Sequence, residues 1–280
     1  MPQPCPPARR ILITGCSSGI GLDAARSLTA RGLAVYATCR RPEDCDRLRA
    51  EGLDSFPLDY ADPASLDAAM VQVAARGGLD ALYNNGAWAL PGAVEDLPRD
   101  GLRAIFEATL FGWHALTRRV IPLMRAQGHG RIVNCSSVLG IVPAKWRGAY
   151  VSTKYALEGL TDVLRLEMAD APIRVILIQP GPIATEIRRN SRRPFETWID
   201  WQSAARAAEY RSTLLARLYD EPPRPTPGEL PPSAVTRVLI RALEAPHPRA
   251  RYRVTWPTFA AETMRRLLPV TWRDRVCARG

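Results

Sequence analysis

Tyr150 and Lys154 stand four residues apart in the run Ala149-Tyr150-Val151-Ser152-Thr153-Lys154. On a helix that spacing puts both side chains on one face, with Cβ atoms about 5–6 Å apart. A free phenol has a pKa of about 10, and a neighbouring ammonium favours its ionised form, so the pair suits acid–base work near neutral pH. The lysine is unusual here: of the 38 basic residues only Lys145 and Lys154 are lysines. A chain so biased toward arginine uses it wherever a surface charge suffices, so Lys154 points to a need for a compact, rotatable donor. A helical surface pair of the same spacing is the plain alternative, which the remaining motifs must decide.

Thr14-Gly15-Cys16-Ser17-Ser18-Gly19-Ile20-Gly21 is the second chemical feature. Glycines let a backbone approach a pyrophosphate, and a helix N-terminus offers free N–H groups and a favourable dipole. The same residues fit the G-x-S-x-G nucleophile elbow, with Ser17 as the nucleophile of a serine hydrolase. That rival needs an acid and a histidine, and the chain offers only His114, His129 and His247. It also leaves Tyr150 and Lys154 without a role.

The elements that must position these residues follow from periodicity. Short β-branched runs at 10–14, 34–38, 54–58, 79–83, 131–135 and 173–178 read as strands. Helical patterns separate them at 20–30, 42–50, 63–75, 102–126 and 148–168, the third opened by a proline in its first turn. Alternating strands and helices with continuous apolar runs predict an α/β, Rossmann-type doubly wound parallel sheet of about seven strands. Ligands of such sheets sit at the carboxyl ends of the strands. Residues 182–232 are proline-rich and aromatic, with no clear strand, and read as a lid-like insertion after the sixth strand. A helix at 232–243, a strand at 252–255 and a helix at 258–268 complete the pattern. The division is a disordered lead-in at 1–9 and a single domain at 10–280, ending in a basic extension at 246–280.

Composition narrows the class. At 280 residues and 46% hydrophobic content, the chain is long enough for one large core. No apolar run approaches the roughly 20 residues of a membrane span, and the N-terminus has no signal-peptide core. Six scattered cysteines without a C-x-x-C pair indicate neither a zinc site nor a disulfide framework, so no metal is expected. Reduced thiols fit a cytoplasmic location. Much of the +10 charge lies in the basic extension, where Arg265 and Arg266 flank an apolar helix side near Trp256 and Trp272. That helix packs on its own domain or a partner subunit, with contact to an anionic membrane surface as the alternative. Nucleic-acid binding has the charge but no recognisable module.

Taken together, the glycine turn, Tyr150/Lys154 and Asn134-Cys135-Ser136-Ser137 resemble the short-chain dehydrogenase/reductase family. So do Asn84-Asn85-Gly86-Ala87 and Pro180-Gly181-Pro182-Ile183-Ala184-Thr185, in order and at compatible spacing from about residue 10 to 185. The style of the first two strand ends is most similar to the hydroxysteroid and retinol dehydrogenase branch. The resemblance implies an alcohol/ketone oxidoreductase in which Tyr150 is the acid/base and Lys154 lowers its pKa and binds the nicotinamide ribose. Ser137, at the family's spacing before the tyrosine, holds the substrate oxygen. Gly15, Ser17, Ser18, Gly19, Ile20, Gly21, Asn85, Gly86, Pro180, Gly181, Ile183 and Thr185 surround the cofactor, and Asp59 contacts adenine.

The second strand ends Thr38-Cys39-Arg40-Arg41 with no acid before Glu43. Arg40 can pair with a 2′-phosphate, so NADP(H) is favoured over NAD(H). Two departures stand out. Thr109 replaces the asparagine that supports the family's proton relay, and Gly86-Ala87 reverses the usual Ala-Gly order. They motivate a second hypothesis, a cofactor-binding sensor or scaffold with weak catalysis. Trp88, Leu90, Val138, Leu139, Trp146 and the insertion suggest a lipophilic substrate, steroid-, retinoid- or lipid-like. The family implies a homodimer or homotetramer, with the long helices as interfaces.

Overall fold

The computed structural model describes residues 6, 8–222 and 224–278. Seven parallel strands form one sheet: β1 (Arg10–Thr14), β2 (Ala34–Cys39), β3 (Asp54–Pro57), β4 (Ala81–Asn84), β5 (Gly130–Cys135), β6 (Ile173–Gln179) and β7 (Arg251–Arg253). Their order is β3-β2-β1-β4-β5-β6-β7. The chain therefore winds outward from β1 in one direction and from β4 in the other, which leaves a crevice at the carboxyl ends of β1 and β4. Helices cover both faces. These are α1 (Gly19–Ala30), α2 (Pro42–Ala50), α3 (Pro63–Ala75), α4 (Arg99–Phe106), α5 (Gly112–Gln127) and α6 (Gly148–Glu167), then α11 (Ser233–Glu244) behind the sheet. This is the Rossmann-type architecture that the alternating pattern predicts.

The central strands are buried on both faces, which is why they read as unbroken apolar runs rather than alternations. One core layer joins Ile11, Ile13, Val133 and Ile178 to α1 and α11; the other joins Leu12, Leu82, Ile132 and Val175 to α3 and α5. Local signals fix the helix ends. Asp62 caps α3 by accepting from Ala64 N at 2.9 Å, with Pro63 in its first turn, and α5 ends at Gly128 with φ +76°. The buried Arg131 donates to the carbonyls of Ala242 and Ala245, supplying a cation at the C-terminus of α11.

Several boundaries differ from the sequence reading. The helix predicted at 102–126 is three pieces, because a π-helical turn at Glu107–Phe111 separates α4 from α5. Residues 1–5 and 7 of the expected lead-in lie outside the described residues. Ala8 and Arg9 are not disordered: Ala8 N donates to Leu243 O at 3.3 Å, and Arg9 N donates to Asp80 Oδ2 at 2.9 Å. The 182–232 segment folds into short pieces, α7 (Ile187–Asn190), α8 (Arg192–Trp198), α9 (Ala207–Glu209) and α10 (Ala216–Leu218). Phe195, Ile199, Tyr210, Leu214 and Leu218 from this segment form a third apolar cluster with Leu90, Ile105 and Ala149, against which Tyr150 packs. After α12 (Trp256–Leu267) comes an unexpected helix, α13 (Val270–Cys277), preceded by Pro269. Proline reads as a stop but is also favoured at a helix start. Among the described residues, no helix is long and apolar enough to cross a membrane.

Candidate active site

At the crevice, Gly15 and Gly86 meet backbone to backbone. Gly15 has φ +70°, and a Cβ placed there would lie 2.4 Å from Gly86 Cα. Gly21 is equally closed, since its Cβ would stand 2.3 Å from Gly15 O. Thr14 Oγ1 ties the two loops together by accepting from Asn85 N at 2.9 Å and Gly86 N at 3.1 Å. Asn85 Nδ2 donates to Thr14 O at 3.0 Å. Beneath them runs a buried polar chain. Tyr60 OH lies 3.0 Å from Asn84 Oδ1, Asn84 Nδ2 donates to Asn134 Oδ1 at 2.9 Å, and Asn134 Nδ2 donates to Thr161 Oγ1 at 2.9 Å. Every member has a partner, as buried amides require. The parallel register that pairs Asn84 with Asn134 makes this possible.

The residues predicted for the cofactor line this crest. The N-terminus of α1 has no side-chain cap, so its first-turn N–H groups remain available to an anion. Thr185 packs on Gly19, 3.1 Å from where a Cβ would stand, beside a cleft of about 290 Å³ that Ala184 and Glu186 also line. Gly181 has no room for a side chain against Thr255, and Pro180 O accepts from Val138 N at 2.7 Å. Ile183 packs on the core. Arg40 is exposed at the end of β2, and Asp59 follows β3 with its carboxylate accepting from Ala61 N. Arg47, which sequence reasoning missed, reaches back from α2 to donate to Ser17 O at 2.7 Å. A glycine cradle closed to side chains, an uncapped helix and a cation at the second strand fit a dinucleotide.

Across the crevice, α6 carries Tyr150 and Lys154. Ser137 begins a turn in which its Oγ accepts from Leu139 N at 3.1 Å, and its hydroxyl acts on the Tyr150 phenol, pulling the phenol's pKa down. Ser136 is buried with an unpartnered Oγ. Of the two serines, Ser137 is the one that acts on Tyr150. Lys154 is fully buried, donates to Cys135 O at 2.8 Å, and sits 4.4 Å from the ring centre of Trp113 and 5.4 Å from that of Tyr150. Trp113 in turn donates from Nε1 to Gly86 O at 2.9 Å, linking the displaced glycine to the lysine's aromatic neighbour. Burial lowers the Lys154 pKa to about 8, with Cys135 and Glu158 pulling the other way. Burial pushes the Tyr150 pKa above its ordinary value, while Ser137 and then Arg147 pull it down. That direction is the reverse of the expected depression. The cation acting on the phenol is Arg147, a residue that sequence reasoning passed over. Thr109 is buried in the π-helical turn, and its hydroxyl donates to Ile105 O at 2.5 Å within its own helix rather than to Lys154.

None of His114, His129 and His247 hydrogen-bonds to Ser17 among the described residues, so the nucleophile elbow has no base. A crest shaped for a dinucleotide facing a half-buried phenol beside a buried ammonium defines a nicotinamide-dependent oxidoreductase. The family model for the short chain dehydrogenases matches residues 9–195. The chain belongs to that family. It is 36% identical over 270 residues to the oxidoreductase YbbO of Escherichia coli (strain K12), covering 96% of this chain and 93% of that one. Human retinol dehydrogenase 16 is 34% identical, with coverage of 88% and 80%. The NADPH-dependent 3-dehydrocapnine reductase of Ornithobacterium rhinotracheale is 29% identical, with coverage of 96% and 95%. Among solved structures, a short-chain dehydrogenase from Streptomyces avermitilis superposes with a TM-score of 0.75 at 28% identity, covering 96% of this chain and 94% of that one.

Proposed function

We propose that this enzyme interconverts a lipophilic alcohol and its ketone or aldehyde with NADP(H), using Tyr150 as the proton donor and acceptor. The observation that carries this reading is the convergence of Ser137, Tyr150 and Lys154 at the strand ends opposite the Gly15–Gly86 crest. The bound nicotinamide supplies or accepts the hydride. In the reductive direction Tyr150 gives its phenolic proton to the carbonyl oxygen as the carbon is reduced, so atoms and charge balance in a single alcohol product. Burial keeps the phenol protonated until it is needed, and Ser137 holds the oxygen in place. Lys154 is positioned to hold the ribose and to supply positive charge as the phenolate forms.

The preference for NADP(H) rests on Arg40, free at the end of β2 with no acid at that strand end, and the NADPH-dependent relative is consistent with it. A lipophilic substrate is supported by the apolar cluster beside Tyr150 and by the similarity to a retinol dehydrogenase. The 182–232 segment then serves as the lid over that substrate. Exposed Leu160, Val163 and Leu166 on α6 support assembly with a second copy, and the described cysteines, all free, support a cytoplasmic location. Exposed Trp256, Phe259 and Trp272 beside the basic residues of α12 and α13 suit contact with an anionic membrane surface.

The test is NADPH oxidation across a panel of lipophilic ketones and aldehydes, with Tyr150→Phe alongside. Turnover in the native enzyme, with loss of at least about 10³-fold in Tyr150→Phe while NADPH still binds, is the expected result. Retained turnover in the variant removes Tyr150 from this role. Tight NADPH binding with no turnover on any carbonyl marks the protein as a cofactor-binding sensor instead.

A further inference from the structure

The buried ammonium of Lys154 has one direct hydrogen-bond partner among the described residues, Cys135 O at 2.8 Å. An ammonium carries three N–H donors and loses its water shell on burial, so the rest of its surroundings decide whether it stays charged. Each element packed around it supplies something different. From α6 come the Tyr150 ring, its centre 5.4 Å away, and Glu158 one turn further on. The Glu158 carboxylate is engaged elsewhere, accepting from Gln179 Nε2 at 3.0 and 3.1 Å and facing Arg251 of β7 at 3.4 Å. From β5 comes the Cys135 thiol, with the Tyr83 phenol of β4 acting on it; burial raises both pKa values, so neither carries charge near neutral pH. The Thr109 hydroxyl is turned to Ile105 O.

Trp113, the second residue of α5, fills the remaining place. Its ring centre lies 4.4 Å from Lys154 Nζ, well inside the roughly 6 Å over which an aromatic face attracts a cation. That attraction is greatest where water is excluded, and Trp113 and Lys154 are each 1% exposed. The ring is held in place on several sides. Its Nε1 donates to Gly86 O at 2.9 Å, and its centre lies 6.0 Å from that of the Tyr60 ring. The adjoining Gly112 has no room for a Cβ, which would stand 2.4 Å from Tyr60 Cβ. Tyr60 is itself fixed by its hydroxyl, which donates to Thr14 Oγ1 at 2.6 Å. One indole therefore touches both halves of the site: its face meets the lysine, and its N–H meets the loop that closes on Gly15.

We infer that Trp113 is a positioning residue of this enzyme, holding Lys154 in its charged form beside Tyr150 through the ring face and fixing the Gly86 wall of the cofactor site through the indole N–H. This rests on the oxidoreductase reading above and adds the residue that keeps the two halves of the site in register. The two contacts are separable by substitution. Phenylalanine keeps an aromatic face and loses the N–H, whereas leucine keeps apolar bulk and loses both. Burial already lowers the Lys154 pKa to about 8, so an ammonium deprived of the ring loses its proton at still lower pH.

The chain's two lysines make a direct experiment possible. Isotope labelling at the lysine ε-carbon gives one NMR signal each for Lys145 and Lys154, assigned with Lys154→Met, and their titration needs no turnover. The Lys154 pKa is expected to fall by about one unit in Trp113→Leu and by less than half of that in Trp113→Phe. Lys145, paired with Glu209 at the surface, is the internal control and should not move. In turnover, the limb of kcat that falls as Lys154 loses its proton should move to lower pH by the same amount in Trp113→Leu. A merely loosened fold lowers kcat without moving that limb. NADPH should bind about three- to tenfold more weakly in both variants, read by fluorescence titration, because each leaves Gly86 O without the indole N–H. An unchanged Lys154 pKa in Trp113→Leu overturns the inference, and so does unchanged NADPH affinity in Trp113→Phe. If leucine prevents folding, the native spectrum decides: Lys154 ε-protons over an indole face resonate upfield of free lysine, and a free-lysine position overturns the inference. Absence of NADPH oxidation with every carbonyl sinks the oxidoreductase reading, a result on which the lysine titration does not depend.

Discussion

Replacing Lys154 by methionine isolates the cost of placing an ammonium inside this protein. The lysine is 1% exposed, and burial brings its pKa from 10.5 to about 8. Each tenfold change in proton affinity corresponds to about 1.36 kcal/mol, so the charged form costs the fold about 3 kcal/mol. The pH window follows from the direction of that displacement. Between about pH 8 and 10.5 the unfolded chain holds a proton on this amine that the folded chain has lost, so stability rises with pH across that interval. Below about pH 8 the cost is present in full. Lys154→Met has no such group. Urea unfolding and thermal melts of both proteins at about pH 7 and about pH 10 should therefore show the native enzyme gaining about 2.5 kcal/mol relative to the variant, or about 4 °C. The comparison cancels the buried tyrosines and cysteines, which titrate in both proteins and act in the opposite sense. Parallel stability curves would refute the assignment of a buried, charge-bearing Lys154. Activity in Lys154→Met should be lost at every pH, so a protein with a better-matched interior would be a worse enzyme.

The two glycines of the crest should respond unequally to alanine. Gly15→Ala meets the Gly86 backbone at 2.4 Å in a left-handed conformation, so NADPH binding should weaken by at least about tenfold and the melting temperature should fall. Gly86→Ala meets nothing closer than 3.2 Å and should cost under about 1.5 kcal/mol, read by fluorescence titration of NADPH and a melt. Arg40→Glu should reduce the kcat/KM preference for NADPH over NADH by about 10- to 100-fold, from the loss of a charged hydrogen bond to phosphate. An unchanged ratio would move the phosphate to another cation, with Arg47 the first to test.

The strand ends that carry the site were legible because buried parallel strands leave continuous apolar runs, and the residues following them are set by close backbone approach. The Tyr150–Lys154 pair was legible for the same reason that a helix has 3.6 residues per turn. What escaped was contact made only in three dimensions. Trp113 is one more aromatic in an amphipathic helix until the ring is seen over Lys154. Arg147 is hidden by composition, since in a chain whose basic residues are nearly all arginine the one acting on the Tyr150 phenol looks like any other. The π-helical turn at Glu107–Phe111 shifts hydrogen bonds without changing the residue pattern, so it left no trace in periodicity. Thr109 was legible as a departure, but the direction of its hydroxyl was not, because a threonine in a helix can bond its own backbone.

The apolar cluster shared by residues 182–232 and the Tyr150 helix bears on how specificity can change in this family. Phe195, Tyr210, Leu214 and Leu218 are buried against Ala149, Leu90 and Ile105, and Tyr210 also donates to Asp96 at 2.8 Å while accepting from Ala93 N. The segment is therefore not an interchangeable module. A chimera that imports only this segment from a relative inherits half of an interior and leaves the other half, against which the Tyr150 phenol packs, without its complement. New substrates are reached by paired substitutions across that seam, one in the insertion and one on α4 or at the start of α6, and a graft lacking the second member fails as a fold before it fails as a catalyst.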